Sequence, residues 1–525
     1  MDTKALRQKI LDLAIRGKLV PQDPNDEPAS VLLERIRAEK QQMVKDGKLK
    51  PKDIKNDTII FVGEDNLHYE KLQDGSVKCI EDEIPFEVPE GWEWCRLKHV
   101  CMMSAGKAKP TDQIMTEPFE GCFPCFGGNG IRGYVDEYNQ DGIFSIVGRQ
   151  GALCGNINIA KGKFYATEHA VVTTLFSGID FNWSNYVLEA LHLNSYATGA
   201  AQPGLSVANV LNVFVPVPPT QEQVHIGIRI AESIKIIENI KDEKEDLQTL
   251  ISSAKSRILD LAIRGKLVPQ DPDDEPASVL LERIRAEKEE LIKQGKIKRD
   301  KKKSIIFKGE DNSYYEKVGK VIKNIDDEIP FTIPDSWKWC RLKAICKKIV
   351  DGSHNPPKGL DFVTPYIMAS SRNIIENTIS DLSNVRYLDK ENFIKEHSRT
   401  NVEINDILLT TVATLGRSCI YKGKPENLCF QRSVTVITSC ILPTYLKLFF
   451  DAPYFQNFIV KSATGTAQKG FYLNQLENVL ICIPPLDEQD KISCGISSIF
   501  YDLDLIEKSL NRGSFLSSTM HDYSF

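Results

Sequence analysis

A long internal repeat limits what this 525-residue chain can fold into. Residues 10–40 read ILDLAIRGKLVPQDPNDEPASVLLERIRAEK, and residues 258–288 repeat that string with Asp273 in place of Asn25. The two copies lie about 250 positions apart, far beyond the roughly 20 to 50 residues of solenoid repeats. The spacing therefore predicts a duplicated domain rather than a stack of short repeats.

One helix of unusual length is predicted between the two halves, from Thr220 to Gly265. Thr220 and Gln223 have the spacing of a capping box, apolar residues follow at helical spacing, and Arg264 with Gly265 provides a cation and a left-handed stop. At 1.5 Å per residue this helix would be about 66 Å long. That length is typical of a coiled-coil strut and not of one globular core.

Shorter similarities extend the duplication beyond the repeat. Residues 91–97 (GWEWCRL) correspond to residues 336–342 (SWKWCRL), and residues 197–204 (ATGAAQPG) correspond to residues 463–470 (ATGTAQKG). Between these similar segments the two halves diverge. Each half is therefore predicted to hold a variable insert in a common frame, as expected of a modular reader of two different ligands.

The two ends of the chain complete this pattern. Residues 2–16 are predicted to form a short helix that matches the last third of the central helix. A C-terminal helix predicted from Asp487 to about Asn511 stops near the equivalent of Leu247. Together the ends would supply one more copy of the central helix, so the chain is predicted to be a pseudo-dimer.

Composition and charge narrow the protein class. Apolar and charged fractions of 42% and 26% are ordinary for a globular protein. Neither a secretory signal nor an apolar run long enough for a membrane span is found, and 13 cysteines, an odd number, favour reduced thiols. We therefore expect a cytoplasmic protein without a membrane partner. Its net charge of -6 requires any nucleic-acid binding to use local patches.

The sequence predicts neither a catalytic site nor a metal site. Residues 354–358 (HNPPK) are similar to a base-methyltransferase motif, but a lysine replaces the aromatic residue and no glycine-rich nucleotide loop precedes them. A Walker A motif is not found either. Cys122 and Cys125 have the spacing of zinc ligands without a full ligand set, so buried thiols are the preferred interpretation.

The ordered set of motifs resembles the specificity subunits of type I restriction-modification systems over essentially the full chain. The motifs that carry the resemblance are residues 216–223 and 483–489, residues 13–21 and their copy at 261–269, residues 127–133, and residues 351–354. The resemblance implies an α+β fold, in which two α/β target-recognition domains are joined by long antiparallel coiled-coil helices in a pseudo-two-fold arrangement.

The same resemblance divides the chain into five segments. We expect an N-terminal helical segment that completes the distal strut (1–45), a first target-recognition domain (46–219), a central conserved helical region (220–290), a second target-recognition domain (291–486), and a C-terminal conserved helix with its tail (487–525).

The function implied is recognition without catalysis. Such a subunit would bind a bipartite, asymmetric site in double-stranded DNA and dock two methyltransferase subunits, and through them restriction or translocase subunits. S-adenosylmethionine, ATP and Mg²⁺ would then bind those partners and not this chain. The alternative is a protein-interaction adaptor that does not bind DNA. Steep salt dependence of duplex binding would separate the two hypotheses.

Loops that combine glycine with polar side chains are the candidate DNA contacts, because glycine lets the backbone approach a phosphate while the side chains pair with bases. The candidates in the first insert are Gly128, Asn129, Arg132, Arg149 and Gln150. Those in the second insert are Ser353, His354, Lys358, Ser371, Arg372, Asn373 and Arg417. Thr198, Gln202, Thr464, Gln468 and Lys469 are predicted phosphate clamps in loops that the halves share. An ordinary surface turn is the alternative for each.

Charge differs between the inserts. Residues 98–217 hold 7 Lys and Arg against 9 Asp and Glu, whereas residues 343–483 hold 16 against 12. Phosphate attraction should therefore be weaker in the first insert. Apolar positions of the central helix are the predicted partner-binding residues: Ile230, Ile234, Ile237, Leu247, Ile251 and Ile258.

Overall fold

The computed structural model describes residues 3–151, 153–198, 203–300, 303–464 and 469–512. The chain divides into two compact units: the first takes the residues up to Lys244 and those from Asn511 onward, and the second runs from Glu245 to Leu510. Each unit combines helices with several β-sheets, which confirms the predicted α+β class. Within the described ranges, no helix is long and apolar enough to cross a membrane.

The first unit contains a short N-terminal helix, a small sheet and a larger sheet. Its helices are α1 (Thr3–Ile15), α2 (Ala29–Lys45), α3 (Pro51–Ile54), α4 (Phe181–Ala190), α5 (Val207–Val210) and the beginning of α6 (Thr220–Ile263). Its strands are β1 (Ile59–Val62), β2 (His68–Lys71), β3 (Val77–Cys79), β4 (Glu93–Arg96), β5 (Cys101–Ala105), β6 (Phe123–Gly127), β7 (Gly130–Val135), β8 (Gln140–Gly148), β9 (Ile157–Ala166), β10 (Ala170–Leu175) and β11 (Phe214–Val217).

Strand order in the first unit separates the repeated frame from the insert. Strands β1, β2 and β3 form one antiparallel sheet, and β4 pairs with β11. The insert forms a six-stranded sheet in the order β5-β10-β8-β9-β6-β7, in which β6 and β9 are parallel. The frame strands β4 and β11 thus lie immediately before and after the insert in sequence and pair with each other.

The second unit repeats the frame and varies the insert. After the end of α6, its helices are α7 (Ala277–Lys293), α8 (Lys390–Thr400), α9 (Pro443–Asp451), α10 (Pro453–Ser462), α11 (Leu473–Glu477) and α12 (Leu486–Arg512). Its strands are β12 (Ser304–Lys308), β13 (Tyr314–Val318), β14 (Val321–Asn324), β15 (Lys338–Arg341), β16 (Cys346–Asp351), β17 (Ile367–Ala369), β18 (Ile374–Ile375), β19 (Thr378–Ile379), β20 (Arg386–Tyr387), β21 (Ile407–Thr410), β22 (Ser418–Ile420), β23 (Leu428–Phe430), β24 (Val434–Ser439) and β25 (Leu480–Ile483).

The frame sheets of the second unit match those of the first. Strands β12, β13 and β14 form the small sheet, and β15 pairs with β25. The insert is split into sheets β16-β24-β21-β22, β20-β17-β23 and β18-β19, with β17 parallel to β23. A common frame around divergent inserts was predicted from the sequence, and the strand pairing agrees with that prediction.

Helix α6 begins and ends where its sequence predicts, but its start is held differently. The Thr220 hydroxyl donates to the Gly178 carbonyl, and the Gln223 backbone N–H donates to the Pro219 carbonyl. The Gln223 amide donates to the Pro218 carbonyl and accepts from the backbone N–H of Asp180. The predicted capping box is therefore wrong, because both side chains bond to loops outside the helix.

A buried carboxylate holds the first turn of the long helix in each unit. Glu222 accepts hydrogen bonds from the Trp92 indole at 2.9 Å and from the Gln22 amide at 3.1 Å. Glu488 accepts from the Trp337 indole at 2.8 Å and also from the Gln270 amide. Burial raises the pKa of both carboxyl groups.

The small sheet is attached to the frame by a second repeated contact. Arg96 donates to both carboxylate oxygens of Glu70, with its shorter bond at 2.7 Å, and Arg341 does the same to Glu316. Such bidentate pairs fix the relative orientation of the two groups. The module formed by β1–β3 or β12–β14 is thereby attached to the frame strand that precedes the insert, β4 or β15.

The N-terminal helix fills in the first unit the position that the end of α6 fills in the second. Leu11 and Ala14 are buried in the core that contains Trp92, Trp183 and the start of α6. Their repeat equivalents Leu259 and Ala262 are buried in the core that contains Trp337 and the start of α12. The predicted match between residues 2–16 and the last third of the central helix is confirmed at the level of each core. Trp94 and Trp339 are buried as well.

The glycine that ends each of these helices is sterically required. Gly17 and Gly265 have φ values of 64° and 65°. A Cβ atom there would lie 2.3 Å from the ring of Pro89 or 2.4 Å from the ring of Pro334. The left-handed end of each helix therefore depends on glycine, and so does its close approach to Pro89 or Pro334.

We expect Gly265→Ala to destabilise the second unit by more than Gly295→Ala does. Gly295 has a similar φ of 72°, but a Cβ atom there meets nothing within 4 Å. The control should lose about 1 kcal/mol, the cost of a left-handed alanine, and Gly265→Ala about 3 kcal/mol or more because of the added clash. Urea unfolding followed by tryptophan fluorescence measures both losses. Equal losses would show that the clash relaxes without cost.

Candidate nucleic-acid interface

Four polar stretches that are distant in sequence converge in the first unit. The backbone N–H of Arg149 donates to the His169 carbonyl at 2.9 Å. A Cβ atom on Gly128 would lie 3.3 Å from the Gln150 carbonyl oxygen and 3.4 Å from that of His169. One on Gly148 would lie 2.0 Å from the Gly128 carbonyl oxygen. Glycine at positions 128 and 148 is what allows these turns to touch.

The fourth stretch is the shared loop after α4. Thr198 and Gly204 exchange two backbone hydrogen bonds of 2.9 Å, and Leu205 donates to the Arg149 carbonyl at 2.9 Å. Gly151 donates to the Pro203 carbonyl at 3.0 Å. We call the set formed by residues 127–132, 148–151, 167–169, 198 and 203–205 the first loop edge. Gln202, a predicted clamp, lies outside the described residues.

The second unit builds the same edge from different residues. Thr411 donates to the Ser433 carbonyl at 3.0 Å, and Phe471 donates to the Thr411 carbonyl at 2.8 Å. Gln431 donates to the Ala369 carbonyl at 2.9 Å, as Thr167 donates to Phe126 in the first unit at 3.0 Å.

The shared loop closes this second set as well. Thr464 and Gly470 exchange backbone hydrogen bonds, as Thr198 and Gly204 do. Residues 352–354, 369–373, 410–414, 430–433, 464 and 469–471 form the second loop edge. Gln468 lies outside the described part of this edge.

A further glycine supports each edge from behind. A Cβ atom on Gly106 would lie 2.1 Å from the Ala166 carbonyl oxygen, and one on Gly352 would lie 2.3 Å from that of Phe430. Gly352 belongs to the motif 351–354 noted in the sequence. Its physical role is to let the strand before it pass directly under the turn at 430–433, as Gly106 does under the turn at 167–169.

Predicted contacts in the first unit lie on the surface of the loop edge. Asn129, Arg132, Gln150 and Thr198 are exposed, and Gly128 and Arg149 are half-buried. The Asn129 side chain accepts from Asn156 at 2.7 Å, and Arg132 donates to the Thr111 hydroxyl at 2.8 Å. The structure therefore brings all the described candidates of this unit together.

Predicted contacts in the second unit are divided. His354, Arg372, Arg417, Thr464 and Lys469 are exposed on or next to the second loop edge. Lys358 is exposed as well. The neighbouring Pro357 carbonyl accepts a hydrogen bond from Arg386. Within the described residues, no hydrogen bond connects this segment to the second loop edge.

Three of the predicted contacts in that unit need correction. Ser353, Ser371 and Asn373 are buried, with exposures of 5%, 5% and 0%. The Asn373 amide donates to the carbonyls of Ser380 and Asp381 and accepts from the Ser370 backbone. The buried side chains shape the loop, so we assign them a structural role and not a DNA contact.

The turn between the last two strands of each insert was missed from the sequence. Glu168 and His169 lie in this turn in the first unit, and Gln431 and Arg432 lie in it in the second. A three-residue turn has no periodicity to identify it. Alignment of β10 with β24 would have shown that it occurs in both halves at the same place.

Cys122 and Cys125, which have the spacing of zinc ligands, are without a full ligand set in the described residues. Burial raises the pKa of the Cys125 thiol, which disfavours the thiolate that zinc binds. In the described ranges, no three His, Cys, Asp or Glu side chains are grouped closely enough to hold a metal ion.

The helix surface differs from the one predicted for partner binding. Ile230 is buried in the core of the first unit, and Ile258 packs against the core of the second. Ile237 and Ile251 are buried and Ile234 is half-buried, so only Leu247 of the predicted set is exposed. The predicted residues were chosen by their helical spacing, and that spacing identifies the side of the helix that packs within this chain. The exposed apolar residues of α6 are Ile228, Ile236, Ile240, Leu247 and Leu250.

Comparison with known proteins places these features in one family. The family model for the type I restriction modification DNA specificity domain matches residues 89–249 and again residues 334–512. Each match contains one insert and the start of the helix that follows it. The N-terminal helix, the long repeat and the small sheets lie outside the matched residues.

Relatives and solved structures were found over most of the chain. The type I restriction enzyme EcoEI specificity subunit of Escherichia coli is 27% identical over 97% of this chain and 90% of its own length. The EcoAI specificity subunit of Escherichia coli is 26% identical over 93% and 87%. The EcoprrI subunit of that organism is 46% identical, but over 25% of this chain and 33% of its own.

Among solved structures, the HsdS subunit of Thermoanaerobacter tengcongensis is 15% identical over 84% of this chain and 98% of that one, with a TM-score of 0.38. A chain from a study of the assembly of the type I R-M system is 13% identical over 83% and 97%, with a TM-score of 0.49. Scores this low do not bear on the assignment. The family model, however, covers well over half of the residues, and the chain therefore belongs to the type I restriction-modification specificity family, whose members are non-catalytic specificity subunits.

Proposed function

We propose that this chain reads a bipartite, asymmetric DNA target, one half-site with each unit, and docks methyltransferase subunits through its long helices. One observation supports the reading role above all others. Two loop edges share one backbone framework and carry different side chains at equivalent positions. A conserved framework positions the chain on the phosphates, while exchanged side chains read different bases.

Cofactors follow from this division of roles. S-adenosylmethionine, ATP and Mg²⁺ would bind the methyltransferase and the restriction or translocase partners. The present chain would recognise the DNA target and provide the surface on which those partners assemble.

The proposed docking surface is the exposed apolar side of α6. Leu250 is 64% exposed and Ile236 is 57% exposed, although both lie on a helix whose buried stripe is already occupied. A partner helix that covers these residues would gain about 1.5 to 3 kcal/mol for each large side chain that becomes fully buried. Amphipathic partner helices are the usual ligands of such a surface.

Methylation mapping tests the reading role directly. We expect sequencing of modified bases in the host, with this gene present and with it deleted, to reveal one motif that disappears on deletion. The motif should have two different halves separated by a fixed spacer of about half a turn to one turn of DNA, because the edges differ. A contiguous or palindromic motif would contradict the proposal.

Lengthening α6 should change the spacer and leave the bases unchanged. We expect insertion of one turn, about four residues, between Lys241 and Asp246 to lengthen the methylated motif in its unspecified centre, since the helix joins the segments that belong to the two units. The same insertion after Gly75 should have no effect, because Gly75 lies in an exposed turn between β2 and β3. Altered half-site bases with an unchanged spacer would show that the length of α6 does not set the length of the spacer.

Partner docking is testable with one charge on α6. Leu250→Glu should weaken methyltransferase binding about tenfold or more, because an ionised carboxylate cannot be buried in an apolar contact without a large cost. Ser252→Glu is the control, since Ser252 is exposed two residues away on the same helix. Isothermal titration with the purified methyltransferase gives both affinities. Equal weakening by both variants would indicate a general charge effect.

A further inference from the structure

The turn that joins the last two strands of each insert is the centre of its loop edge. In the first unit, Thr167 donates to Phe126 at 3.0 Å, and His169 accepts from Arg149 at 2.9 Å. The turn is therefore bonded to β6 through Phe126 and to the segment after β8 through Arg149. Its backbone is held from two sides, and its side chains project from a fixed base.

The equivalent turn of the second unit is held in the same way. Gln431 donates to Ala369, and Ser433 accepts from Thr411. Arg432 donates its backbone N–H to Ser353 at 2.9 Å, which leaves its side chain exposed. In the described ranges, no carboxylate lies within 4 Å of the Arg432 guanidinium to form an ion pair.

Polar atoms without partners concentrate at the first of these turns. Four of the nine buried side-chain N and O atoms that lack a hydrogen bond in the described residues belong to Asn158, Thr167, Glu168 and His169. Asn158 lies next to the glycine turn, since its Oδ1 would be 3.1 Å from a Cβ atom on Gly130. Each unmet buried group costs about 1 to 3 kcal/mol. The first turn therefore carries hydrogen-bonding capacity that the described residues do not use.

The chemistry of the two turns is different although their backbone is the same. The first reads Thr-Glu-His, with Glu168 Oε1 3.3 Å from His169 Nε2. The second reads Gln-Arg-Ser and carries a net positive charge. A carboxylate accepts from the amino group of cytosine, whereas a guanidinium donates two parallel bonds to guanine. Exchanging three residues would thus change the base that is read without moving the framework.

We propose that the turns Thr167–His169 and Gln431–Ser433 determine the specificity of the two half-sites. Glu168 accepts from a cytosine amino group in one half-site, and Arg432 donates to the O6 and N7 atoms of a guanine in the other. The neighbouring exposed residues of each edge contact the phosphates. This inference rests on the proposed function, in that each unit reads one half-site.

The test uses the full chain assembled with its methyltransferase and a duplex that carries the methylated motif. Each base pair of the motif is substituted in turn, and binding is measured at one salt concentration. Arg432→Ala should reduce discrimination at a single guanine of one half-site about ten- to a hundredfold and leave the other half-site unchanged. Arg432→Lys should lose the same discrimination, because lysine keeps the charge but not the two parallel bonds.

Lys422→Ala is the matched control. Tyr421 bonds to Asp406 before β21 begins, whereas Ser433 bonds to Thr411 after it ends, so Lys422 lies about 15 to 20 Å from the turn at 3.3 Å per strand residue. Like Arg432→Ala, the Lys422→Ala substitution removes one positive charge from the second unit, but it should change no base preference. Glu168→Gln should shift preference at one position of the other half-site only.

The outcomes separate the inference from the proposed function. If Arg432→Ala weakens binding to all duplexes equally and reduces its salt dependence, Arg432 contacts a phosphate and the inference is wrong. It is also wrong if both turn variants discriminate as the wild type does. If the wild-type complex itself does not distinguish the motif from other duplexes, the proposed function fails instead. Unchanged melting temperature and unchanged methyltransferase binding exclude misfolding as the cause.

Discussion

Each unit depends on one carboxylate that is buried at the start of a long helix. Glu222 and Glu488 use both of their oxygens, one for an indole and one for a glutamine amide. The carboxylate lies on the long helix, the indole lies just before β4 or β15, and the glutamine lies in the loop after the preceding helix. Loss of any donor would leave a buried acceptor unmet at a cost of about 1 to 3 kcal/mol. The frame of each unit is therefore coupled to the direction of its helix through a single side chain.

The frame is constant and the edge is variable for a physical reason. Backbone hydrogen bonds between Arg149 and His169, or between Thr411 and Ser433, do not depend on which side chains those residues carry. Glycines such as Gly106 and Gly352 fill the places where a side chain would collide with the backbone behind the turn. Side chains that point away from these contacts can therefore differ between the two edges while the backbone bonds remain the same.

Much of this architecture could be predicted from the sequence because the frame occurs in both halves of the chain. The repeat located α1 as the equivalent of the end of α6, and periodicity located α6 almost to the residue. Periodicity could not show what covers a stripe, and Ile230 was consequently assigned to a partner although it belongs to the core. The role of Thr220 depends on Gly178, which is 42 residues away in sequence, so local spacing alone suggested the wrong bond. The turn at 167–169 carries no pattern at all until its strands are aligned with those of the other unit.

The position of α1 has a consequence for how the protein is made. The core of the first unit draws its residues from Ile10 to Ile234, and the core of the second draws them from Ile258 to Phe500. Every residue of the first core therefore precedes every residue of the second core along the chain. Domains usually fold as units during synthesis, N-terminal first. The first core can therefore pack while the residues of the second core are still being added to the growing chain.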